Sequence, residues 1–269
     1  MKSINKVQNI NYALRIACAM CFIGHGAFGI ITKAIWCNYF AVFGIGPDLA
    51  YRLMPVVGSV DILMGVSLLV YPVRAVALWL VIWGFFTASL RPLSGEPFAE
   101  LIERAGNYGT PLALLFLWGS DKRVLSWFQR MNPPVDLAGE WLKKLQLCLR
   151  ITAFLILTGH GWLNLIGKKA LMGQYTSLGF DDAHTVAFTA GLIEITAALL
   201  ILVRPTRPLL AVFFVWKIGT ELFYPQHELF EWIERGGSYG TLLALWFALE
   251  SSGLLKKINE HFPIRQTTV

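Results

Sequence analysis

The feature that most limits how this chain can fold is that it is written twice. Arg15-Ile16 is followed by Gly24-His25-Gly26 and Lys33, and Arg150-Ile151 is followed at the same spacing by Gly159-His160-Gly161 and Lys168. Gly58 and Asp61 align with Gly191 and Glu194, Pro72 with Pro205, Trp83 with Trp216, and Thr87 with Thr220. Glu100, Glu103, Arg104, Gly106, Tyr108 and Thr110 then align with Glu231, Glu234, Arg235, Gly237, Tyr239 and Thr241. Identities kept in one order, with an offset that drifts only from 135 to 131, mark an internal repeat.

Each copy offers four apolar runs. In the first they lie at Tyr12–Ile31, Leu53–Tyr71, Val73–Leu90 and Gly106–Trp118; in the second at Leu147–Ile166, Thr185–Val203, Pro208–Tyr224 and Tyr239–Leu249. The chain is 55% hydrophobic and 15% charged, whereas a soluble domain keeps about a quarter of its residues charged to wet its surface. A bilayer core takes roughly 17–25 apolar residues of helix to cross. The expectation is an all-α polytopic membrane protein, with eight transmembrane helices arranged as two parallel-repeat four-helix bundles. The units are residues 1–120 and 147–269, joined by an interfacial linker at 121–146. Pro72 and Pro205 fit short turns between the second and third helices, where a missing N–H costs nothing. The segments Ser94 to Arg104 and Gln226 to Arg235 read as short interfacial helices, each closed by a glycine, Gly106 or Gly236.

An even number of helices between the copies makes them face the same way, about an axis along the membrane normal. Lys and Arg concentrate at the N-terminus, the Arg74 turn, the Lys122–Arg150 stretch, the Arg204/Arg207 turn and the C-terminus. Positive charge stays inside, so both termini are expected on the cytoplasmic side of the inner membrane, with the Glu-rich segments outside. The opening residues read as a retained span rather than a removable leader. A net charge of +6 without any basic run points to lipid headgroups rather than nucleic acid as the partner surface. Cys18, Cys21, Cys37 and Cys148 form no secreted disulfide pattern.

Polar groups deep in an apolar helix are costly and mark a cavity or a partner. His25 falls ten residues past Arg15, about 15 Å along the helix, and Asp61 reaches a comparable depth. His160 and Glu194 repeat the pair, and Lys217 and Glu221 add a second polar pair where the first copy has Gly84 and Ala88. Four readings of the His/carboxylate pairs stand side by side. They are a structural hydrogen bond between helices, a polar floor for a small amphipathic ligand such as a quinone, a haem held between His25 and His160, and a transport pathway around a midplane site. The small number of histidines weighs against the haem. Cys18, Cys21 and His25 share one helix face, which suits a soft metal or a dithiol; the second copy has Ala153 and Ile156 there, so small buried hydrophobes are the favoured reading and no metal is expected. His184 and His227 fall in expected outer loops. Glu103, Arg104 and Tyr108, with Glu234, Arg235 and Tyr239, read either as interfacial caps or as an outer gate that gives protons access to the pairs.

Gly-His-Gly on a first helix that opens with Arg-Ile, a short loop, then a second helix reading Ala-Gly-Leu-Ile-Glu-Ile-Thr-Ala-Ala-Leu-Leu-Ile-Leu around Glu194 and a basic turn, resembles the DoxX-like four-helix membrane proteins. The resemblance covers both repeats; Asp61 stands where the second copy has Glu194, and Lys217 and the Glu-Arg-x-Gly-x-Tyr-Gly element lie outside the family pattern. It implies a four-helix unit and a membrane subunit linked to quinone or thiol redox chemistry, as in thiosulfate:quinone oxidoreductase relatives. The resulting expectation is a ligand site led by His160, Glu194, Lys217 and Glu221, with His25 and Asp61 as its counterpart. If the chain is an enzyme, it is a subunit of a quinone- or thiol-linked oxidoreductase, with other membrane or redox subunits as partners. The alternatives are a non-catalytic assembly subunit of a membrane complex and a small-molecule transporter.

Overall fold

The computed structural model describes residues 2–119, 123–134, 139–222 and 229–249. These are helical throughout, with no strand among the described residues. The first half runs α1 (Lys2–Ile30), α2 (Trp36–Ala41), α3 (Pro47–Val70), α4 (Arg74–Leu93), α5 (Ala99–Glu103) and α6 (Ala105–Trp118). The second half repeats the order as α7 (Glu140–Leu165), α8 (Lys169–Ser177), α9 (Ala183–Val203), α10 (Arg207–Leu222), α11 (Leu229–Glu234) and α12 (Gly236–Ala248). A 3-10 turn, Val124–Phe128, lies between the halves and leaves Val124, Leu125 and Phe128 exposed.

Local chemistry accounts for the ends of these elements. Pro47 opens α3, where its fixed φ suits a first turn, and Asp182 caps α9 by accepting from the Thr185 N–H at 3.0 Å. Pro72 and Pro205 sit in the turns before α4 and α10. Arg15 donates to the Leu68 carbonyl at 2.8 Å and to the Leu69 carbonyl at 2.6 Å, and Arg150 treats Leu202 and Val203 the same way. Each arginine thus satisfies the orphan carbonyls that end the neighbouring helix.

Four helices are long and apolar enough to cross a membrane: Lys6–Ile30, Pro47–Val70, Arg74–Leu93 and Ala183–Val203. Glu140–Leu165 with Lys169–Ser177, bent by 80°, makes a fifth if the pair counts as one span. α6, α10 and α12, of 14, 16 and 13 residues, fall short by that measure, because about 20 residues at 1.5 Å each are needed for a core about 30 Å thick. The remainder of the run expected to Tyr224, and His227, lie outside the described residues.

α1 packs on α3 and α7 on α9 within their own halves, but α1 also packs on α11 and α12, and α7 on α5 and α6. The largest core is continuous across the halves, with Leu14, Leu114, Leu117, Leu149, Leu157 and Leu245 meeting in it. α6 and α12 run side by side in the same direction: a Cβ on Gly106 would lie 2.8 Å from the Gly237 carbonyl carbon, and the Thr110 and Thr241 hydroxyls are 3.1 Å apart. The glycines expected to close α5 and α11 do otherwise. Gly106 and Gly236 stand in the first turn of the following helices, with Arg104 and Arg235 as the turns. There a missing side chain lets two helix starts approach.

Candidate functional site

Each half builds the same three-membered hydrogen-bonded group. His25 Nδ1 on α1 lies 2.7 Å from Asp61 Oδ2 on α3, and Trp83 Nε1 on α4 donates to the other oxygen at 2.7 Å. In the second half His160 Nδ1 lies 2.6 Å from Glu194 Oε2, and Trp216 Nε1 donates to Oε1 at 2.9 Å. Asp61 and Glu194 are fully buried, so each needs both oxygens satisfied. The sequence pairs the His with the carboxylate by depth; the indole donors it shows only as repeat markers. A further layer appears in the second half alone, where Tyr175 donates to Asn164 at 2.8 Å and Asn164 lies against Glu194 at 3.4 Å. His184 is exposed on the first turn of α9. Cys18 and Cys21 are buried, without a disulfide, and among the described residues no group of three His, Cys, Asp or Glu is placed to hold a metal.

The Glu-rich segments are packed inside the protein. Glu100, Glu103, Arg104 and Glu234 are buried, because α5 and α11 each tuck against the first helix of the opposite half. The close approach is made at Gly24, where a Cβ would meet the backbone of Glu234, and at Gly159, where it would meet Glu103. Arg104 donates to Glu100 at 2.5 Å and to Glu103 at 2.8 Å, and Arg235 donates to Glu103 from across the interface. Lys168 pairs with Glu100 at 2.5 Å, and its counterpart Lys33 pairs with Glu231 at 2.6 Å. Lys217 donates to Glu221 at 2.9 Å, and Arg235 lies 3.8 Å from that carboxylate. Tyr108 donates to the Leu101 carbonyl at 3.3 Å, while Tyr239 is buried against Trp232.

The field in this cluster is strong. Burial alone would push the Glu100 carboxyl up, but Arg104 and Lys168 overcome it and hold it at about 2. Burial opposes the charged form of Glu234 as well, and Arg104, His25 and Arg235 hold it below the usual carboxylate range. The two repeat-related carboxylates nevertheless differ in geometry. Glu103 is gripped by two arginines, whereas Glu234, 6% exposed, makes no hydrogen bond or ion pair among the described residues.

Open space is found beside His25. A cavity of about 130 Å³ borders His25, with Trp36, Tyr39, Trp83, Phe86, Arg104 and Glu234 among its walls. The Trp36 ring lies 4.7 Å from that of His25. Tyr39 is fixed by donating to Glu96 at 2.6 Å, with Arg91 over its ring at 5.2 Å. Thr87 and Ala88 supply the small wall on α4. Their surroundings in the second half differ for a visible reason. Lys217 and Glu221 occupy the positions of Gly84 and Ala88, and both are buried. A side chain could not enter at Gly84, since its Cβ would lie 2.6 Å from the Asn107 carbonyl oxygen. Of the four residues expected to lead the site, His160 is hydrogen-bonded to Glu194 and Lys217 to Glu221, while the aromatic cavity is lined by His25 of the other pair.

A second, polar cavity of about 100 Å³ adjoins the first, with Lys33, Lys168, Arg235 and Glu231 among its walls. Trp36, Arg91, Arg104 and Glu234 border both. No protein-family model matches this chain, and comparisons with curated proteins and with solved structures find no match.

Proposed function

We propose that the chain is a DoxX-like, multi-pass protein of the inner membrane that binds a small amphipathic ring, of quinone headgroup chemistry, in the cavity beside His25. In this reading eight helices cross as two same-facing units, and both termini lie on the cytoplasmic side. The parallel contact of α6 with α12 and the continuous core support one body of two like-oriented halves.

The observation that carries the ligand assignment is the cavity itself. Its volume of about 130 Å³ matches one aromatic ring, since a cavity of about 150 Å³ holds benzene. Its walls are aromatic faces on which a flat ring stacks. Phe43 and Phe86 line it and are also 54% and 41% exposed on the outer surface. In a bilayer that mouth faces lipid, the phase in which a quinone is dissolved. His25 has Nδ1 committed to Asp61, so Nε2 is the nitrogen left for a ligand. It accepts from a ring hydroxyl when the imidazole is neutral and donates to a carbonyl when the imidazole is protonated.

The test is a titration of purified protein with a short-chain quinone, followed by quenching of Trp36 and Trp83, which line the cavity. Wild type should saturate. Ala88→Leu, which fills the space, and His25→Gln should each weaken binding by about tenfold or more, the equivalent of losing one buried contact worth about 1.4 kcal/mol. His160→Gln should leave affinity within about threefold, a shift of under 1 kcal/mol. Equal effects at His25 and His160 would refute the assignment. An assembly subunit would bind no quinone, and a transporter carrying Thr87→Cys in the cavity wall would be labelled from both sides of the membrane.

A further inference from the structure

The partition between the two cavities is made partly by one carboxylate. Glu234 borders the aromatic cavity and the polar one, it is 94% withdrawn from the surface, and among the described residues nothing bonds to its oxygens. Its repeat partner Glu103 stands in the same relation to the other half, with its backbone against Gly159 as that of Glu234 is against Gly24. Glu103 is locked by Arg104 and Arg235 on a side where Lys217 and Glu221 stand in place of Gly84 and Ala88. The unlocked carboxylate is thus the one that faces open space. The charged groups around it are His25 on α1, Arg91 on α4, Arg104 between α5 and α6, and Arg235 beside it, with Lys33, Lys168 and Glu231 lining the polar cavity. These groups surround the carboxylate, and none of the described ones grips it at hydrogen-bond or ion-pair distance.

We propose that Glu234 is the proton carrier between the two cavities, taking a proton from a hydroxyl of the ring bound beside His25 and handing it to water in the polar cavity. The ligand O–H bond breaks, a carboxyl O–H forms, and the ring is left as an oxyanion beside Arg104. The second transfer restores the carboxylate and releases a hydronium on the side of Lys33 and Lys168. The return path recharges the ligand with a proton by the same steps reversed. No electron moves in either transfer. The assignment rests on the ring-binding reading above. It adds to it a direction, because the exposed Phe43 and Phe86 line the aromatic cavity and not the polar one.

The experiment uses 2-hydroxy-1,4-naphthoquinone, whose colour changes when its hydroxyl ionises, bound to the full-length protein in detergent. After a rapid pH jump the colour of the bound probe should follow the bulk quickly in wild type. In Glu234→Gln the probe should bind with affinity within about threefold of wild type, while its colour change slows by at least about tenfold, as for loss of a positioned proton carrier. Glu234→Asp, which keeps a carboxylate, should fall between the two, and Glu140→Gln, at an exposed carboxylate, should respond as wild type does. If Glu234→Gln does not fold, Glu234→Asp against wild type still decides: an unchanged rate overturns the proposal. A Glu234→Gln rate equal to wild type, or equal slowing in Glu140→Gln, overturns it as well. A wild type that takes up no probe at all overturns the ring-binding reading, and this one with it.

Discussion

Breaking the Lys217–Glu221 pair and then removing it altogether should have opposite consequences. Lys217 is 1% exposed and its Nζ lies 2.9 Å from Glu221 Oε1, with Glu221 itself 5% exposed. Lys217→Met deletes the cation but leaves the Glu221 carboxylate buried, with Arg235 as the nearest remaining charge at 3.8 Å. Removing one member of a buried pair costs about 3–5 kcal/mol, because the survivor keeps its desolvation penalty. The remaining arginine places this case near the lower end, about 3 kcal/mol. Lys217→Met/Glu221→Leu puts apolar groups of similar length in the same space, and buried pairs replaced in that way are about neutral or more stable by roughly 1 kcal/mol. A double-mutant cycle should therefore give a coupling of about 3 kcal/mol or more, since the double variant recovers the losses of the single ones. Thermal unfolding in mild detergent, read by tryptophan fluorescence, should fall by about 6–12 °C for Lys217→Met at roughly 2–4 °C per kcal/mol. The double variant should melt close to wild type. A double variant that loses the sum of the two single effects would refute the reasoning, since the charges would then contribute independently.

Three further outcomes follow from the same geometry. The Glu100 carboxyl is held at about 2 by Arg104 and Lys168 against the effect of burial, so its stabilising contribution is complete above the unfolded value of about 4.3. That contribution disappears as pH falls through about 2, and a Glu100→Gln variant should lose the acid-dependent part of the melting curve in this window while wild type shows it. Gly106→Val should destabilise by about 3 kcal/mol or more through overpacking, because a Cβ there would already lie 2.8 Å from the Gly237 carbonyl carbon; a melting temperature unchanged from wild type would contradict the α6–α12 contact. Trp83→Phe removes the donor to Asp61 Oδ1 and should cost about 1–3 kcal/mol for the unsatisfied buried oxygen, with Trp216→Phe costing a similar amount at Glu194; denaturant titration of both variants checks the equivalence.

Much of this arrangement could be read from the chain, and the rest depends on contacts between its halves. The His25–Asp61 and His160–Glu194 pairs were legible because depth along a helix is set by residue count, and the repeat supplied each pair with a control. Trp83 and Trp216 were visible as aligned residues, but nothing in spacing says that an indole on one helix reaches a carboxylate on another. The burial of Glu100 and Glu103 was illegible, since it arises from α5 packing on α7 across the halves, and an isolated Glu-x-x-Glu-Arg segment looks like a solvated helix face. The difference between Gly84/Ala88 and Lys217/Glu221 was in plain view, yet its sense depends on volume. Long polar side chains read as decoration of a site, whereas here they stand buried where the other half has small residues beside a cavity.

Quantifying the molecule that copurifies from native membranes tests the account most directly. Lipid extracts of wild type and of Ala88→Leu, analysed by mass spectrometry against protein concentration, should show about one quinone-like ring per wild-type chain and a depletion of about tenfold in the variant, the loss that accompanies roughly 1.4 kcal/mol of binding free energy. Equal amounts in both, or none in either, would contradict a ligand seated between Trp36, Trp83 and His25.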